Sequence, residues 1–293
     1  MEEQTEITAR LDTADLAAGW AEKKGRKPEY YLDIRVGART DLGRIRENNE
    51  DKFELFEPEE LELLAVKGCF FAVADGMGGH ASGQIASELA LKTVVKTYYA
   101  DSNEDVGESL KAAIFAANAY IFDASLAITD RNGMGTTCTA LVFRDRDAFI
   151  GHVGDSRAYL IRDGELRQLS EDHSWVAEQV RLGALTAEEA ERSPFRNVIT
   201  RSLGAANEVE VDIYRERLEK DDLFILCSDG LSGYVTNDEI LEIATEWSPA
   251  MAALKLTERA NENGGGDNVT VVVVAVRDFQ KSASRLKRFL GRS

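Results

Sequence analysis

Again and again in this chain a hydrophobic, strand-like run meets a turn at an aspartate. Asp75 follows FFAVA, Asp155 follows FIGHVG, Asp229 follows LFILCS, and Asp267 precedes NVTVVVV. Asp51 stands between the turn-prone RENNE and the short run KFELF. A strand end is a rigid post, so a carboxylate there is held at a fixed place. One such aspartate is an ordinary turn former. Several together describe a divalent-metal cage, because hard cations take carboxylate oxygens. Left without cations, the posts would repel one another and their pKa values would rise.

The runs between these posts set the fold class. Residues 1–28 are polar with a weak helical pattern (Ile7, Leu11, Leu16) and end in the breaker cluster GRKPEY, so they read as an extension. Strand patterns follow in YLDIRVGART, DKFELFE and CFFAVAD. Next come two long helices. One places Ile85, Leu89, Val94 or Val95, and Tyr98 on one face; the other does so with Leu110, Ile114, Ala117 and Ile121. Four strands come after, TTCTALVF, DAFIGHVG, RAYLIRDG and ELRQLS, with Asp163-Gly164 as a hairpin turn. Residues 173–198 are charged and short-helical, an excursion from the sheet that reads as a flap. Strands VEVDIYRER and LFILCSD, two helices (the second capped by Ser248 with Pro249 at its first position) and the strand NVTVVVVAV complete the pattern. Strands and helices in blocks argue for α+β with stacked antiparallel sheets, against a doubly wound parallel sheet. The tail, residues 278–293, is basic and reads as solvated.

Charge and cysteine usage narrow the function. With 35 basic against 52 acidic residues the formal net charge is -17, which argues against a general nucleic-acid surface. Cys69, Cys138 and Cys227 all sit in apolar runs with no CxxC, the pattern of buried thiols in a reducing compartment. No secretory leader and no membrane-length apolar run is read, so the expectation is a cytoplasmic protein. The CX5R spacing occurs only within the apolar strand-like run CTALVFR, so no CX5R loop serves a phosphocysteine mechanism, and there is no GxxxxGK[ST] for a P-loop.

In order and context, RIRENNEDKF, VADGMGGHASG, GMGTTCTAL, HVGDSRAYLIRDGEL, ITRSLG, LCSDGLSG and GGDNVTVV resemble the metal-dependent serine/threonine protein phosphatases of type 2C, in their bacterial form. The resemblance covers about residues 35–276. It implies a four-layer α-β-β-α sandwich of two antiparallel sheets flanked by helix pairs, with a catalytic domain at 29–277. It also implies two Mg2+ or Mn2+ ions, with a third, weaker site. Asp75 would bridge both metals and Gly76 would offer its carbonyl. Asp229 and Asp267 would complete the other site, Glu50 and Asp51 would act through waters, and Asp155 with Asp229 would form the third. Arg46, five residues before Asp51, stands where the family places its phosphate-binding arginine, whose fork suits bidentate capture. Animal members carry a histidine where this chain has Met77, so His80 becomes the nearest candidate for the leaving-group acid.

The chemistry stands without the family name, since two cations can activate a shared water and clamp the transferring phosphoryl group. Asn268 reads as a turn-orienting residue, Thr136 and Thr137 as packing at a strand start, Arg157 as an ion-pair former, His152 as core and His173 as local structure. The expected partners are phosphoserine and phosphothreonine proteins and a cognate kinase, with the chain a monomer that spans no membrane. Two alternatives are a pseudophosphatase that binds phosphoproteins without turnover and a hydrolase of small phosphate esters.

Overall fold

An apolar residue at every strand position serves two layers at once, because successive side chains point to opposite faces. Two strands of this chain, CFFAVA and LFILC, do so throughout, and the fold is built around them. The computed structural model describes residues 25–78, 81–127 and 133–282. Residues 1–24, His80 and residues 283–293, on which the extension, the acid and most of the tail were expected, lie outside the described residues.

In chain order the elements are β1 (Tyr30–Asp41), β2 (Lys52–Phe56), α1 (Leu61–Lys67), β3 (Cys69–Ala74), β4 (Gly76–Met77), α2 (Ala81–Ala100) and α3 (Val106–Ala127). Then come β5 (Gly135–Thr136), β6 (Cys138–Arg144), β7 (Asp147–Val153), β8 (Arg157–Arg162), β9 (Glu165–Gln168), α4 (Trp175–Arg181) and α5 (Ala187–Glu191). Last are β10 (Asp212–Arg217), β11 (Leu223–Cys227), α6 (Asp229–Ser232), α7 (Asn237–Glu246), α8 (Pro249–Glu262) and β12 (Val269–Lys281). One sheet runs β1-β12-β11-β8-β9 and the other β10-β7-β6-β3-β2, with β4-β5 as a small ribbon. Every pairing is antiparallel.

Parity assigns the layers. Phe71 and Val73 of β3 meet Leu226 of β11 and Val272 and Val274 of β12 in the core between the sheets. Their neighbours Phe70, Ala72 and Ala74 face the other way, onto Leu91, Val94, Val95 and Tyr98 of α2 and Leu110, Ile114 and Ile121 of α3. On the opposite flank, Ile225, Val271 and Val273 pack on Ile240 of α7 and Ala252, Leu256 and Ala260 of α8. The result is the expected α-β-β-α sandwich of the α+β class.

Local signals mostly hold. The β8–β9 hairpin turns at Asp163 and Gly164 with φ of 53° and 79°, the left-handed pair a two-residue turn requires. The flap carries α4 and α5 and closes at its root through a bridge between Ser174 and Ile199. α3 is long and apolar enough by composition to match a membrane span, but its apolar face is core. Three details differ from expectation. α1 was not foreseen, since its seven residues are too few for a periodic signal. Ser248 occupies the cap position of α8, with Pro249 next, yet its side chain accepts no capping bond. β12 pairs with β1 as far as Lys281 opposite Tyr30, so the expected tail begins as sheet.

Candidate metal centre

Register brings the five posts to one end of the sandwich. Lys52 pairs with Ala74, so Asp51 before β2 and Asp75 after β3 are neighbours across a ladder. In the facing sheet Cys227 pairs with both Val271 and Arg157. That places Asp229 after β11, Asp267 before β12 and Asp155 before β8 at a shared edge. Cys138 opposite Val153 brings the end of β7 to the same side.

Buried hydroxyls and amides hold the posts from behind. Ser228 donates to Asp51 Oδ2 at 2.6 Å and accepts from Thr270 N at 3.0 Å. Thr137 Oγ1 accepts from Asp75 N at 2.9 Å, Thr136 Oγ1 donates to Asp75 O at 2.8 Å, and Thr137 Oγ1 lies 2.6 Å from Ser156 Oγ, beside Asp155. The two threonines therefore position the Asp75 backbone, beyond the packing role read from sequence. Asn268 matches its reading. Its Nδ2 donates to Leu42 O and Asn48 O, and its Oδ1 accepts from Glu50 N, tying the Glu50–Asp51 segment to the Asp267 turn. Gly76 is required by space: a Cβ there would lie 2.1 Å from Gly83 O and 2.7 Å from Glu50 O. Glu50 contributes its carbonyl, which accepts from Gly76 N and Ser87 Oγ, while its carboxylate lies against Gly83.

Electrostatics mark these carboxylates as a set. Burial, then the charges of Asp229 and Asp267, push Asp51 up to about 7. Burial, then Asp229 and Asp172, push Asp155 up to about 7. Burial, reinforced by Asp51, Asp229 and Asp155, raises Asp75 well above the usual carboxylate range, and burial with Asp267 raises Asp229. The charge of Asp229 is among the causes that raise Asp75, and carboxylates gathered this closely favour a shared proton or cation. Asp51 Oδ1, Asp155 Oδ1 and Asp229 Oδ1 are buried without any hydrogen-bond partner. An orphaned buried carboxylate oxygen is costly unless a cation meets it. Among the described residues no three His, Cys, Asp or Glu side chains close into a ready-made cage. The donors are instead separate posts, all oxygen, and that chemistry fits hard divalent cations.

Arg46 reaches this rim. Its Nη2 donates to Asp267 Oδ2 at 2.6 Å. Asp267 Oδ1 accepts from Asn268 N. Arg157 does form its expected ion pair, with Nε and Nη2 on Asp172 at 2.7–3.0 Å. His152 is core, fully buried between Thr139 Oγ1 and Glu171 O. Ser228 was missed by sequence reasoning, although its place directly before Asp229 was the available signal.

Sheets that gather acidic posts over a hydroxyl-backed rim define a class of metal-dependent hydrolase architecture, and comparison with known proteins places the chain within it. The family model for protein phosphatase 2C matches residues 46–263. The serine/threonine protein phosphatase PstP of Mycobacterium tuberculosis is 39% identical over 248 residues, 85% of this chain and 46% of PstP, so the match spans about half that relative's length. The serine/threonine phosphatase stp of Listeria monocytogenes is 38% identical, over 80% of this chain and 93% of its own. Among solved structures, the PstP catalytic domain in complex with two manganese ions superposes with a TM-score of 0.74 at 38% identity, covering 85% of this chain and all of that one. The S. agalactiae serine/threonine phosphatase gives 0.77 at 35%, covering 84% and 100%. The chain belongs to the protein phosphatase 2C family.

Proposed function

We propose that this chain hydrolyses phosphoserine and phosphothreonine esters in proteins, with Mg2+ or Mn2+ held by Asp51, Asp75, the Gly76 carbonyl, Asp155, Asp229 and Asp267, and with Glu50 in support. The observation that carries it is the set of buried, unpartnered carboxylate oxygens on Asp51, Asp155 and Asp229 at one rim. Bound divalent cations supply positive charge against the phosphate and Lewis acidity toward water. The residues do the rest. Ser228, Thr137 and Asn268 fix the posts, so little reorganisation is left to the reaction. Arg46, half exposed beside Asp267, swings its free guanidinium nitrogens onto the substrate phosphate. His80 protonates the departing seryl or threonyl oxygen.

Three unpaired, buried cysteines support a cytoplasmic setting, and the substrates imply a serine/threonine kinase acting in opposition. The chain works as a monomer, its catalytic domain being residues 29–277 with the last residues of β12 beyond them. The test is phosphate release from a phosphothreonine peptide. Activity with Mn2+ and none in EDTA is expected, and full activity in excess EDTA overturns the proposal.

A further inference from the structure

His173 sits where three parts of the molecule meet, and its imidazole touches two of them. Its Nδ1 lies 3.0 Å from Gly154 N, which can only donate, so Nδ1 is the unprotonated nitrogen. The ring hydrogen is therefore on Nε2 and is donated to Asp212 Oδ2 at 2.9 Å, at the first residue of β10. That tautomer leaves Arg201 Nη1, 3.1 Å from Nε2, with no acceptor on the ring; its own bond goes to Asp212 Oδ1 at 3.0 Å. The His173 backbone grips the same place a second time, with its N–H donating to Gly154 O at 2.8 Å. Its carbonyl accepts from Thr200 N, at the far root of the flap, and Ser174 beside it caps α4 at the near root.

Gly154 cannot shift to absorb a lost partner. Its φ is 113°, and a Cβ on it would meet Thr137 Cγ2 at 2.5 Å, so its backbone is pressed against the threonine that supports Asp75. The next residue is Asp155, whose Oδ1 is one of the orphaned oxygens. His173 is only 2% exposed, and burial lowers its pKa, so the ring is neutral as the tautomer requires.

We infer that His173 is a positioning residue: its imidazole ties the root of the flap to the Gly154–Asp155 turn, so the placement of the flap and that of the Asp155 carboxylate are set together. It touches neither substrate nor cation and acts through Gly154. The inference rests on the reading of Asp155 as a metal ligand given above, and the experiment separates the two.

The test uses two partial isosteres in the full chain. Asparagine carries an oxygen near the Nδ1 position and can still accept from Gly154 N. Glutamine reaches the Nε2 position and can still meet Asp212, but offers Gly154 nothing. The first readout is amide exchange at Gly154 in the metal-free protein, which requires no activity. His173→Gln should exchange about tenfold faster or more than wild type, and His173→Asn close to wild type, because an unsatisfied buried amide favours the open state. The second readout is the Mn2+ concentration giving half-maximal phosphopeptide turnover, raised in His173→Gln and restored in His173→Asn. Equal exchange and equal Mn2+ requirement in both variants and wild type would overturn the inference. So would equal impairment of both variants, since that is a packing effect. Should wild type lack phosphatase activity, the functional reading fails, while the exchange result still decides the link.

Discussion

At the residue scale the centre is a set of negative charges stacked against its own folding. Asp51 and Asp155, both pushed up to about 7, take up protons on folding that the unfolded chain, near 4, does not hold. Their contribution to stability is therefore fully present below about 4 and lost as pH rises through about 7. His152, held neutral by burial and lowered to about 4, and His173, also lowered by burial, work in the other direction, but they are two imidazoles against four raised carboxylates. In EDTA the urea midpoint should thus be higher at pH 5.5 than at pH 8, and saturating Mn2+ should remove or reverse the difference. A midpoint that rises from pH 5.5 to pH 8 in EDTA would contradict this. Asp229→Ala should abolish turnover yet leave the metal-free midpoint unchanged or higher, since it deletes an orphaned charge. Arg46→Ala should mainly raise KM for the phosphopeptide, with Arg46→Lys failing to restore it, because an ammonium lacks the fork. Unchanged kinetics would leave Arg46 as a partner of Asp267 alone.

At the element scale the strands were the most legible part, for a physical reason. A run such as FFAVA or VTVVVV is apolar on both faces, and only a strand between two layers uses both. The Leu110, Ile114, Ala117 and Ile121 stripe was legible because a 22-residue helix repeats its period six times, while α1 has scarcely two turns. Pairings across the chain were not legible. Arg46 and Asp267 are 221 positions apart, and no local pattern announces their bond. The posts themselves could be read because each is fixed by its own strand end, whereas the Ser228 support depends on which strand lies alongside. Leu226 lies in the core between the sheets, three residues before Asp229, and is fully buried. Leu226→Ala should cost about 2–5 kcal/mol in urea unfolding, with the residual cavity setting the value within that range. A loss under about 1 kcal/mol would mean the sheets close over the gap.

For the whole molecule, the β1–β12 ladder from Tyr30 to Lys281 forms one edge of its sheet, and the matched family region lies between its ends in sequence. A chain trimmed to residues 25–282 should therefore keep the kcat/KM of the full chain on a phosphothreonine peptide; a drop of tenfold or more would give the removed ends a part in the reaction. The three cysteines have a use beyond their chemistry in the cell. Cys138 lies in the layer under α2 and α3, Cys69 between the sheets, and Cys227 under α7 and α8. Burial pushes each thiol up to about 12, so none reacts until its own layer opens. The protein thus carries one native chemical clock per layer. Pulsed thiol labelling during unfolding, read by peptide mass, gives the order in which the three layers come apart without a single engineered probe.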